Sequence, residues 1–408
     1  MLIQHARLVD AEGEREGSIL IRDGRIAAVG EGLAAGEGEP VLDAAGLVAM
    51  PAFIDLHTHF RTPGFEHKET VETGSRAAAR GGYTFVNCMP NTNPVCSCGA
   101  IAQSVMDEAK RVGLCDVNQC VSITKDFDGK TVSHLRALPK NLRFISEDGK
   151  GVRESRVMYE AMRIAAEKGL TVMSHAEDMD LSALDYRLAE NLETARNLYL
   201  AQSTGARLHM CHVSTKEALA DILAAKARGV RVTCEVTPHH IWFWDSDFRV
   251  NPPIRAKEDV EALIAAMLRG EVEAIATDHA PHTLEEKLQP YWSAPSGGPL
   301  VQHSLVAMLE MSREGTFPVE KVVEKMCHAP AIRFAVHRRG FLREGYFADI
   351  VIVDPDKPWT VSRDNGWSPF EGTEFSHSVT HTIVNGGVAY ENGELSGTLH
   401  GRALEFER

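Results

Sequence analysis

The chain has 408 residues, 44% hydrophobic and 25% charged, which is long enough for a large α/β barrel with a smaller appended module. Its formal net charge of -14 argues against nucleic acid or an anionic membrane as the main partner, because the average field would repel either one. With no run of about 18 apolar residues and no basic-then-apolar leader, we expect a soluble, cytoplasmic protein, in which any acidic substrate would need a local cationic pocket.

Both ends of the chain contain short β-type runs. Residues 1–50 include LIQHARLVD, SILIRDGRIAAVG and VLDAAGLVAM, and Arg22–Arg25 predicts a hairpin turn. Residues 340–408 include ADIVIVDPD and HTIVNGGVAYENGEL, with a second turn signal at Asn385–Gly387. Because chain ends often lie close together and strands need partners, we expect the two pieces to form one small β-sandwich module.

Residues 51–339 alternate short apolar runs with helical stretches. The runs include YTFVNCM, LRFIS, LTVMSHAED, RLHMCHVS, RVTCEVTPHH and EAIATDHAPH. Strand and helix in alternation predict a parallel sheet, either doubly wound or closed into a barrel. No G-x-G-x-x-G follows a strand, and polar residues recur where strands end, which favours a TIM-like (β/α)8 barrel with its active site at that face.

Histidine and aspartate residues cluster at these predicted strand ends. His57 and His59 lie two residues apart in FIDLHTHF, so both would project from one face of a strand. Four more residues end or directly follow other strands: Asp148, His175, His212 and Asp278. Together the six form a nitrogen and oxygen ligand set suited to a pair of zinc ions, the alternative being six unrelated polar residues.

The eight cysteines are expected to be reduced thiols, since an even count without a secretory signal says little about disulfides. They are Cys88, Cys96, Cys98, Cys115, Cys120, Cys211, Cys234 and Cys327. Cys96 and Cys98 could belong to a soft-metal site, but no second pair at zinc-ribbon spacing accompanies them. We therefore interpret them as ordinary loop and core cysteines.

Several motifs resemble those of the amidohydrolase superfamily, and of its cyclic-amide branch in particular, over nearly the full chain. They are AFIDLHTHFRTPG, MPNTNP, SEDG, SHAED, VTPHHIWF, NPPIR and ATDHAPH. The resemblance implies a zinc-dependent hydrolase of a cyclic amide with one or two metal ions. It implies one ion on His57, His59 and Asp278, a second on His175 and His212, and Asp148 as the bridge.

The bridging position has a competing candidate, because many relatives use a carboxylated lysine there. Lys150 lies two residues from Asp148. In an alignment anchored on Phe144, Asp148 takes the place of that lysine, and we favour it. Lys150 is then a solvated loop charge.

Hydrolysis of an unactivated amide needs a nucleophile at neutral pH and neutralisation of the developing oxyanion. Metal ions lower the pKa of water and polarise a carbonyl, which would supply both. Asp278 would then move the proton from water to the leaving ring nitrogen, as general base and then general acid. The same site run in reverse would close the ring.

Within the cyclic-amide branch, an arginine two residues beyond the histidine pair is typical of the dihydroorotase family. Arg61 holds that position and could pair with a substrate carboxylate, as a guanidinium does in a bidentate contact, although taken alone such an arginine is more often part of a structural salt bridge. The resemblance therefore implies reversible hydrolysis of dihydroorotate to N-carbamoyl-aspartate, in pyrimidine biosynthesis. It adds Asn91, Asn251 and His282 as substrate contacts, although Asn91 and Asn251 could equally be turn residues.

One segment departs from the family pattern. After the DHAPH motif, APSGGPLVQ keeps Ala294, Pro295 and Gly298, but Pro299–Gln302 is closer to hydantoinase relatives. The alternatives are therefore a hydantoinase or dihydropyrimidinase-type hydrolase without the arginine, and, in another class, a non-catalytic scaffold that has lost ligands. All six ligand positions are filled, which argues against the scaffold. A homodimer is an expectation from the family.

Overall fold

The structure is a computed structural model that describes residues 1–362, 366–397 and 400–407. Five strands come first: β1 (Leu2–Asp10), β2 (Gly13–Arg22), β3 (Arg25–Gly30), β4 (Val41–Asp43) and β5 (Val48–Pro51). The predicted hairpin is confirmed, since Arg22 and Arg25 are Cα partners across a two-residue turn. Asp23 and Gly24 both have positive φ, 52° and 75°, as this tight turn requires.

The barrel follows, with its strands joined in parallel pairs. They are β6 (Phe53–Thr58), β7 (Tyr83–Cys88), β8 (Asp116–Gln119), β9 (Val121–Ser122), β10 (Phe144–Ser146), β11 (Thr171–Ser174), β12 (Arg207–Met210), β13 (Val232–Val236) and β14 (Ala274–Ile275). Strands β6 to β8 form one sheet and β9 to β14 another. Because only Cys120 separates β8 from β9, these two form one barrel strand, and a bridge from Thr58 to His279 joins the last strand to the first. The predicted TIM-like (β/α)8 barrel is confirmed.

The longer helices cover the outside of the barrel, and short ones lie in its connecting loops. They are α1 (Val71–Arg80), α2 (Gly99–Val112), α3 (Ser155–Lys168), α4 (Tyr186–Thr204), α5 (Lys216–Ala227), α6 (Pro238–Trp242), α7 (Lys257–Leu268), α8 (Leu284–Lys287), α9 (Ser304–Arg313), α10 (Val319–Val323) and α11 (Ala329–Arg333). Short 3₁₀ turns lie at Lys125–Phe127 and Ser133–Ala137, and a π-helical turn lies at Glu324–His328. On α3, Val157, Ala161 and Ala165 recur at helical spacing and are buried, so this face packs on the barrel.

The last strands return to the first sheet. They are β15 (Ile350–Asp354), β18 (Ser378–Val384), β19 (Gly387–Glu391) and β20 (Glu394–Leu395), whereas β16 (Trp359–Thr360) and β17 (Glu374–Phe375) form a separate two-stranded sheet. β15 pairs antiparallel with β5, so strands from both chain ends form one nine-stranded sheet, with its own apolar core that includes Ile3, Leu8 and Ile352. The β module predicted from both ends is confirmed, while the boundaries 1–50, 51–339 and 340–408 stay a prediction.

The two hairpin turns of this module touch each other. Asn385 and Gly386 form the turn between β18 and β19, again with positive φ. A Cβ on Gly24 would lie 2.7 Å from the carbonyl oxygen of Asn385, and a Cβ on Gly386 would lie 2.6 Å from the Cα of Gly24. The glycines therefore serve both the turn geometry and the close contact of the two ends.

All eight cysteines are free thiols, and Cys98 is the exposed one among them. Among the described residues, we find no helix with the length and apolar character needed to span a membrane.

Candidate active site

All six predicted metal ligands lie at the carboxyl end of a barrel strand and are buried. His57 lies within β6, and the others follow β6, β10, β11, β12 and β14 by one to three residues: His59, Asp148, His175, His212 and Asp278. Because parallel strands of a barrel end at one face, side chains from distant parts of the chain meet there.

Asp148 lies at the centre of this cluster. Its Oδ1 is 3.0 Å from His57 Nε2, 3.7 Å from His175 Nδ1 and 4.0 Å from His212 Nε2. Its Oδ2 is 3.4 Å from His59 Nε2. The carboxylate therefore lies between the two histidine pairs of the barrel mouth.

Asp278 contacts one side of the cluster. Its Oδ1 lies 3.2 Å from His59 Nε2 and 3.5 Å from His57 Nε2. On the other side, His175 Nδ1 and His212 Nε2 face each other at 2.8 Å. The structure thus brings together His57, His59 and Asp278 as one group, and His175 and His212 as a second.

The cluster has the donor chemistry of a metal site. His57 Nε2 and Asp148 Oδ1 are buried and lie 3.0 Å apart without hydrogen-bond geometry, and neither has another hydrogen-bond partner among the described residues, an arrangement that a bound cation would stabilise. Burial raises the pKa of Asp148, but the imidazoles of His57 and His59 outweigh it and hold that pKa well below its usual range. Burial and the neighbouring His175 lower the pKa of His212 well below its usual value. An ionised carboxylate and a neutral imidazole are the forms that bind a divalent metal. Burial lowers the pKa of His57, but the carboxylates of Asp148 and Asp278 outweigh it and raise that pKa, so a metal would displace a proton from this ring.

Three of these histidines are held from behind by a second side chain. The Nδ1 of His57 is 3.0 Å from Glu235 Oε1, the Nδ1 of His59 is 2.8 Å from Asn91 Oδ1, and the Nε2 of His175 is 2.9 Å from Glu177 Oε2. Such partners fix ring orientation and leave the other ring nitrogen free for a metal.

Sequence reasoning missed two of these partners, Glu177 and Glu235. Glu177 lies inside the SHAED motif, two residues after His175, and this spacing could have indicated a partner for that histidine. Glu235 is a charged residue in the apolar run RVTCEV, which is an unusual position for a carboxylate without a partner.

Lys150, the competing candidate for the bridge, lies apart from the cluster. Its Nζ lies 4.7 Å from the centre of the Phe127 ring, whereas Asp148 is buried among the histidines. The structure therefore brings Asp148, and not the side chain of Lys150, to the centre of the candidate site.

A cavity of about 360 Å³ opens above the cluster. Every predicted site residue except His57 lines it, together with residues that the sequence did not single out: Gly149, Glu177, Tyr186, Arg249, Ala280, Ser296 and Gly297. Asn251 donates to Glu177 Oε2 at 2.8 Å, and His282 Nε2 donates to the carbonyl of Ser296 at 2.8 Å. The predicted substrate contacts therefore share one cavity with the predicted ligands.

Arg61 is buried in the wall of this cavity. Its Nε donates to the carbonyl of Pro281 at 3.1 Å, and its Nη2 lies 3.2 Å from His282 Nε2. Within the described ranges, no carboxylate oxygen lies within 4.0 Å of its guanidinium nitrogens. A buried cation without an acidic partner is an unusual feature that favours binding of an anionic ligand.

Three site residues have backbone conformations in the left-handed region. The φ angles are 54° for Arg61, 34° for His212 and 50° for Asp278. Non-glycine residues adopt this region at a cost, and such strain is concentrated at functional sites, where the surrounding structure imposes it. The mouth of the barrel therefore combines converging ligands, a buried cation without an ion-pair partner among the described residues, and local strain.

A closed (β/α)8 barrel with histidines and aspartates converging at its carboxyl face defines a class of metal-dependent hydrolases. Residues 48–389 match the Amidohydrolase family, and the chain belongs to that family. Within it, the chain is 44% identical over 400 residues to a dihydroorotase from Clostridium botulinum, covering 96% of this chain and 99% of the relative. It is 37% identical to a dihydroorotase from Geobacter sp. strain M21, covering 96% and 100%. These relatives place the chain in the dihydroorotase family.

Solved structures share the fold. An L-hydantoinase (dihydropyrimidinase) from Arthrobacter aurescens has a TM-score of 0.89 at 24% identity, covering 99% of each chain. A D-hydantoinase (dihydropyrimidinase) from Thermus sp. has a TM-score of 0.85 at 26% identity, covering 100% of this chain and 99% of that one. The barrel and β module are thus common to the wider family.

Proposed function

We propose that this chain is a zinc-dependent dihydroorotase, which hydrolyses the cyclic amide of dihydroorotate to N-carbamoyl-aspartate and catalyses the reverse ring closure. The observation that carries this proposal is Arg61, a buried arginine in the cavity wall with no acidic partner among the described residues. Dihydroorotate carries a carboxylate, which would supply the missing partner. The dihydroorotase relatives support the same conclusion.

The ligand set fits a pair of metal ions. His57, His59 and Asp278 would hold one ion, His175 and His212 the other, and Asp148 would lie between them. Zinc suits this mixture of imidazole and carboxylate donors. When bound, such ions polarise the amide carbonyl and lower the pKa of water toward neutrality.

Asp278 would carry the proton. Its carboxylate lies at the cavity wall beside His59, and it accepts a proton from the water that attacks the amide carbon. It then delivers this proton to the ring nitrogen as the C–N bond breaks, so that the nitrogen leaves as a neutral ureido group. In the reverse reaction the same carboxylate takes the proton from that nitrogen.

The remaining residues would orient the ring. Arg61 would pair with the substrate carboxylate through charge-assisted hydrogen bonds, and His282 lies beside it at 3.2 Å. Asn91 and Asn251 line the cavity near His59 and Glu177, where their amides can reach the ring. Holding the ring in one pose brings the amide carbon close to the attacking water.

Hydrolysis of a neutral cyclic amide, as by a hydantoinase, is the second candidate. The observation that favours it is the Pro299–Gln302 segment, which departs from the dihydroorotase pattern beside the cavity wall at Ser296 and Gly297. Arg61 opposes it, because a neutral ring would leave the buried guanidinium without a partner.

A substrate panel separates the two. Turnover of dihydroorotate, hydantoin, dihydrouracil and allantoin is measured with the zinc-loaded protein, and the proposal expects the highest kcat/KM for dihydroorotate. Preference for a neutral ring would replace the dihydroorotase proposal with the hydantoinase one.

We also place the protein in the cytoplasm, as part of this proposal. All eight cysteines are free, which suits a reducing compartment.

A further inference from the structure

Lys287 is a buried lysine at the end of α8, just beyond the catalytic face of the barrel, and only 8% of its surface is exposed. Its Nζ donates to three backbone carbonyls, at 3.1 Å to Arg249, 3.0 Å to Pro295 and 2.7 Å to Gly297. Over the described part of the chain, no carboxylate forms an ion pair with it. All three ammonium hydrogens are therefore used by main-chain oxygens.

The three carbonyls belong to two separate segments that line the cavity. Arg249 comes from the segment after α6, whereas Pro295 and Gly297 come from the segment after α8. Arg249 and Gly297 are both cavity residues, and the Gly297 N–H donates to the Arg249 carbonyl at 3.0 Å. Lys287 therefore connects the two walls at the point where they already touch.

The position of the cavity wall formed by Pro295–Gly297 depends on close packing. Gly297 has a φ of 111°, and a Cβ there would lie 2.6 Å from the Cβ of Ala280, two residues after Asp278. The carbonyl of Ser296, between the two Lys287 acceptors, receives the hydrogen bond from His282. A shift of this wall would move His282, and with it the surroundings of Arg61.

We propose that Lys287 is a positioning residue for the substrate cavity, whose ammonium fastens the Pro295–Gly297 wall to Arg249 and so fixes His282 beside Arg61. The inference rests on the proposed dihydroorotase function. Lys287 does not line the cavity itself and acts through the three carbonyls that it holds. Its charge also adds to the positive field that attracts an anionic substrate.

The protonation of Lys287 links this contact to pH. Burial, together with the nearby Arg249 guanidinium, lowers the pKa of Lys287 to about 8. On its own helix, Glu286 is paired with Lys68 at 2.9 Å, and on the facing segments the charged or titratable neighbours are Arg249 and His282. A neutral amine has two hydrogens instead of three, so one carbonyl loses its donor as the pH rises above about 8.

The test compares wild type with Lys287→Met, which keeps the length of the side chain and removes the donor. We expect KM for dihydroorotate to rise about tenfold or more, since bonds from a charged donor are lost, while kcat and zinc content change little. Hydrogen exchange of residues 290–298, measured without substrate, should become faster. The matched control is Lys168→Met, which removes an exposed lysine that also donates to a backbone carbonyl, that of Arg136 at 2.8 Å.

A pH series adds a second readout. Wild-type KM should rise as the pH passes through about 8, and this rise should be absent in Lys287→Met, whose KM is already high. Truncation to Lys287→Ala with added propylammonium should restore KM in part, because the amine can occupy the vacated space.

The outcomes separate this inference from the proposed function. If wild type hydrolyses dihydroorotate but Lys287→Met has wild-type KM and exchange rates, Lys287 has no positioning role. If wild type does not turn over dihydroorotate, the proposed function fails, and the exchange rates of residues 290–298 still decide whether Lys287 holds the wall.

Discussion

Arg61 and Arg339 are both buried arginines, but their surroundings are opposite. Arg339 lies between the barrel and the β module, 3% exposed, and pairs with Asp116 at 2.6 Å and with Asp349. It also donates to Asn385 Oδ1 at 2.9 Å. Arg61 lies at the opposite end of the barrel, 8% exposed, and the described residues place no carboxylate within ion-pair distance of it.

The difference indicates what each end of the barrel does. A buried charge is costly unless it is paired, so the chain supplies two carboxylates and an amide where the charge holds the two modules together. At the mouth the direct contacts of Arg61 are to a carbonyl and an imidazole, while the nearest carboxylates, such as Glu69, attract it only from beyond ion-pair distance, so an anionic ligand can supply the direct partner. This matches the general division of a (β/α)8 barrel, with stability at the amino ends of its strands and chemistry at the carboxyl ends.

Of the changes at the mouth of the barrel, metal removal should reduce turnover the most. We expect the purified protein to contain zinc and a chelator to abolish turnover, because His57, His59, Asp148, His212 and Asp278 supply converging donors and His175 lies against His212 at 2.8 Å. Elemental analysis alongside turnover measures this, with zinc added back as the control. Full activity in a demonstrably metal-free preparation would contradict it.

Substituting Asp278 by Asn should be nearly as severe. The change removes a ligand and the proton carrier together, so we expect a loss greater than the roughly 10²- to 10⁴-fold assigned to general acid–base catalysis alone. Measuring kcat and zinc content together separates the two contributions. Activity within about tenfold of wild type would show that another group moves the proton.

Replacing Arg61 by Met tests directly whether this buried cation binds the substrate carboxylate. We expect KM for dihydroorotate to rise and kcat/KM to fall by a factor that corresponds to about 3–6 kcal/mol of lost transition-state stabilisation, if two charge-assisted bonds of roughly 1.5–3 kcal/mol each are lost. Zinc content should not change. Dihydrouracil, which has no carboxylate, should be affected far less, so that discrimination between the two substrates is lost.

The conservative variant Arg61→Lys serves as the control. A point charge cannot reproduce the paired geometry of a guanidinium, so rescue should be partial. If Arg61→Met slows both substrates equally, Arg61 has a structural role, and it does not differ from Arg339 in function.

Much of the fold could be predicted from apolar runs and turn residues, but one barrel strand could not. The segment Asp116–Ser122 contains Asp116, Asn118 and Gln119, all buried. Asn118 donates to Asn87, Gln119 donates to backbone carbonyls, and Asp116 pairs with Arg339. Because these partners lie far away in sequence, the strand does not show the apolar pattern of a buried element.

In the candidate site, too, local sequence signals could be predicted and contacts between distant residues could not. The predicted ligands and substrate contacts meet in one cavity because each follows a strand end, which is a local signal. Glu235 and Lys287 were not predictable in this way. Glu235 contacts His57 across 178 residues, and the hydrogen bonds of Lys287 all go to main-chain oxygens, whose position no sequence pattern reveals.

Replacing Arg339 by Met should affect stability and not catalysis. Removing one partner of a buried ion pair costs about 3–5 kcal/mol, and here it leaves Asp116 and Asp349 facing each other without a cation. Substrate KM at a temperature where the variant is folded should match wild type, because this cluster lies at the far end of the barrel from the cavity. Urea unfolding measures the stability. A change in KM without unfolding would show that the Arg339 end of the barrel also affects catalysis.

The loss of stability in Arg339→Met should also depend on pH. Burial raises the pKa of Asp116 above its usual value even with Arg339 opposing it, so the folded state binds this proton more tightly than the unfolded state does. A raised carboxyl pKa contributes stability at low pH that is lost as the pH rises through it. Without Arg339 the pKa should rise further, so destabilisation should be greater at pH 8 than at pH 5, and adding Asp116→Asn should reduce this dependence. Equal destabilisation at both pH values would mean that Arg339 stabilises the junction by packing, and not by compensating the two carboxylates.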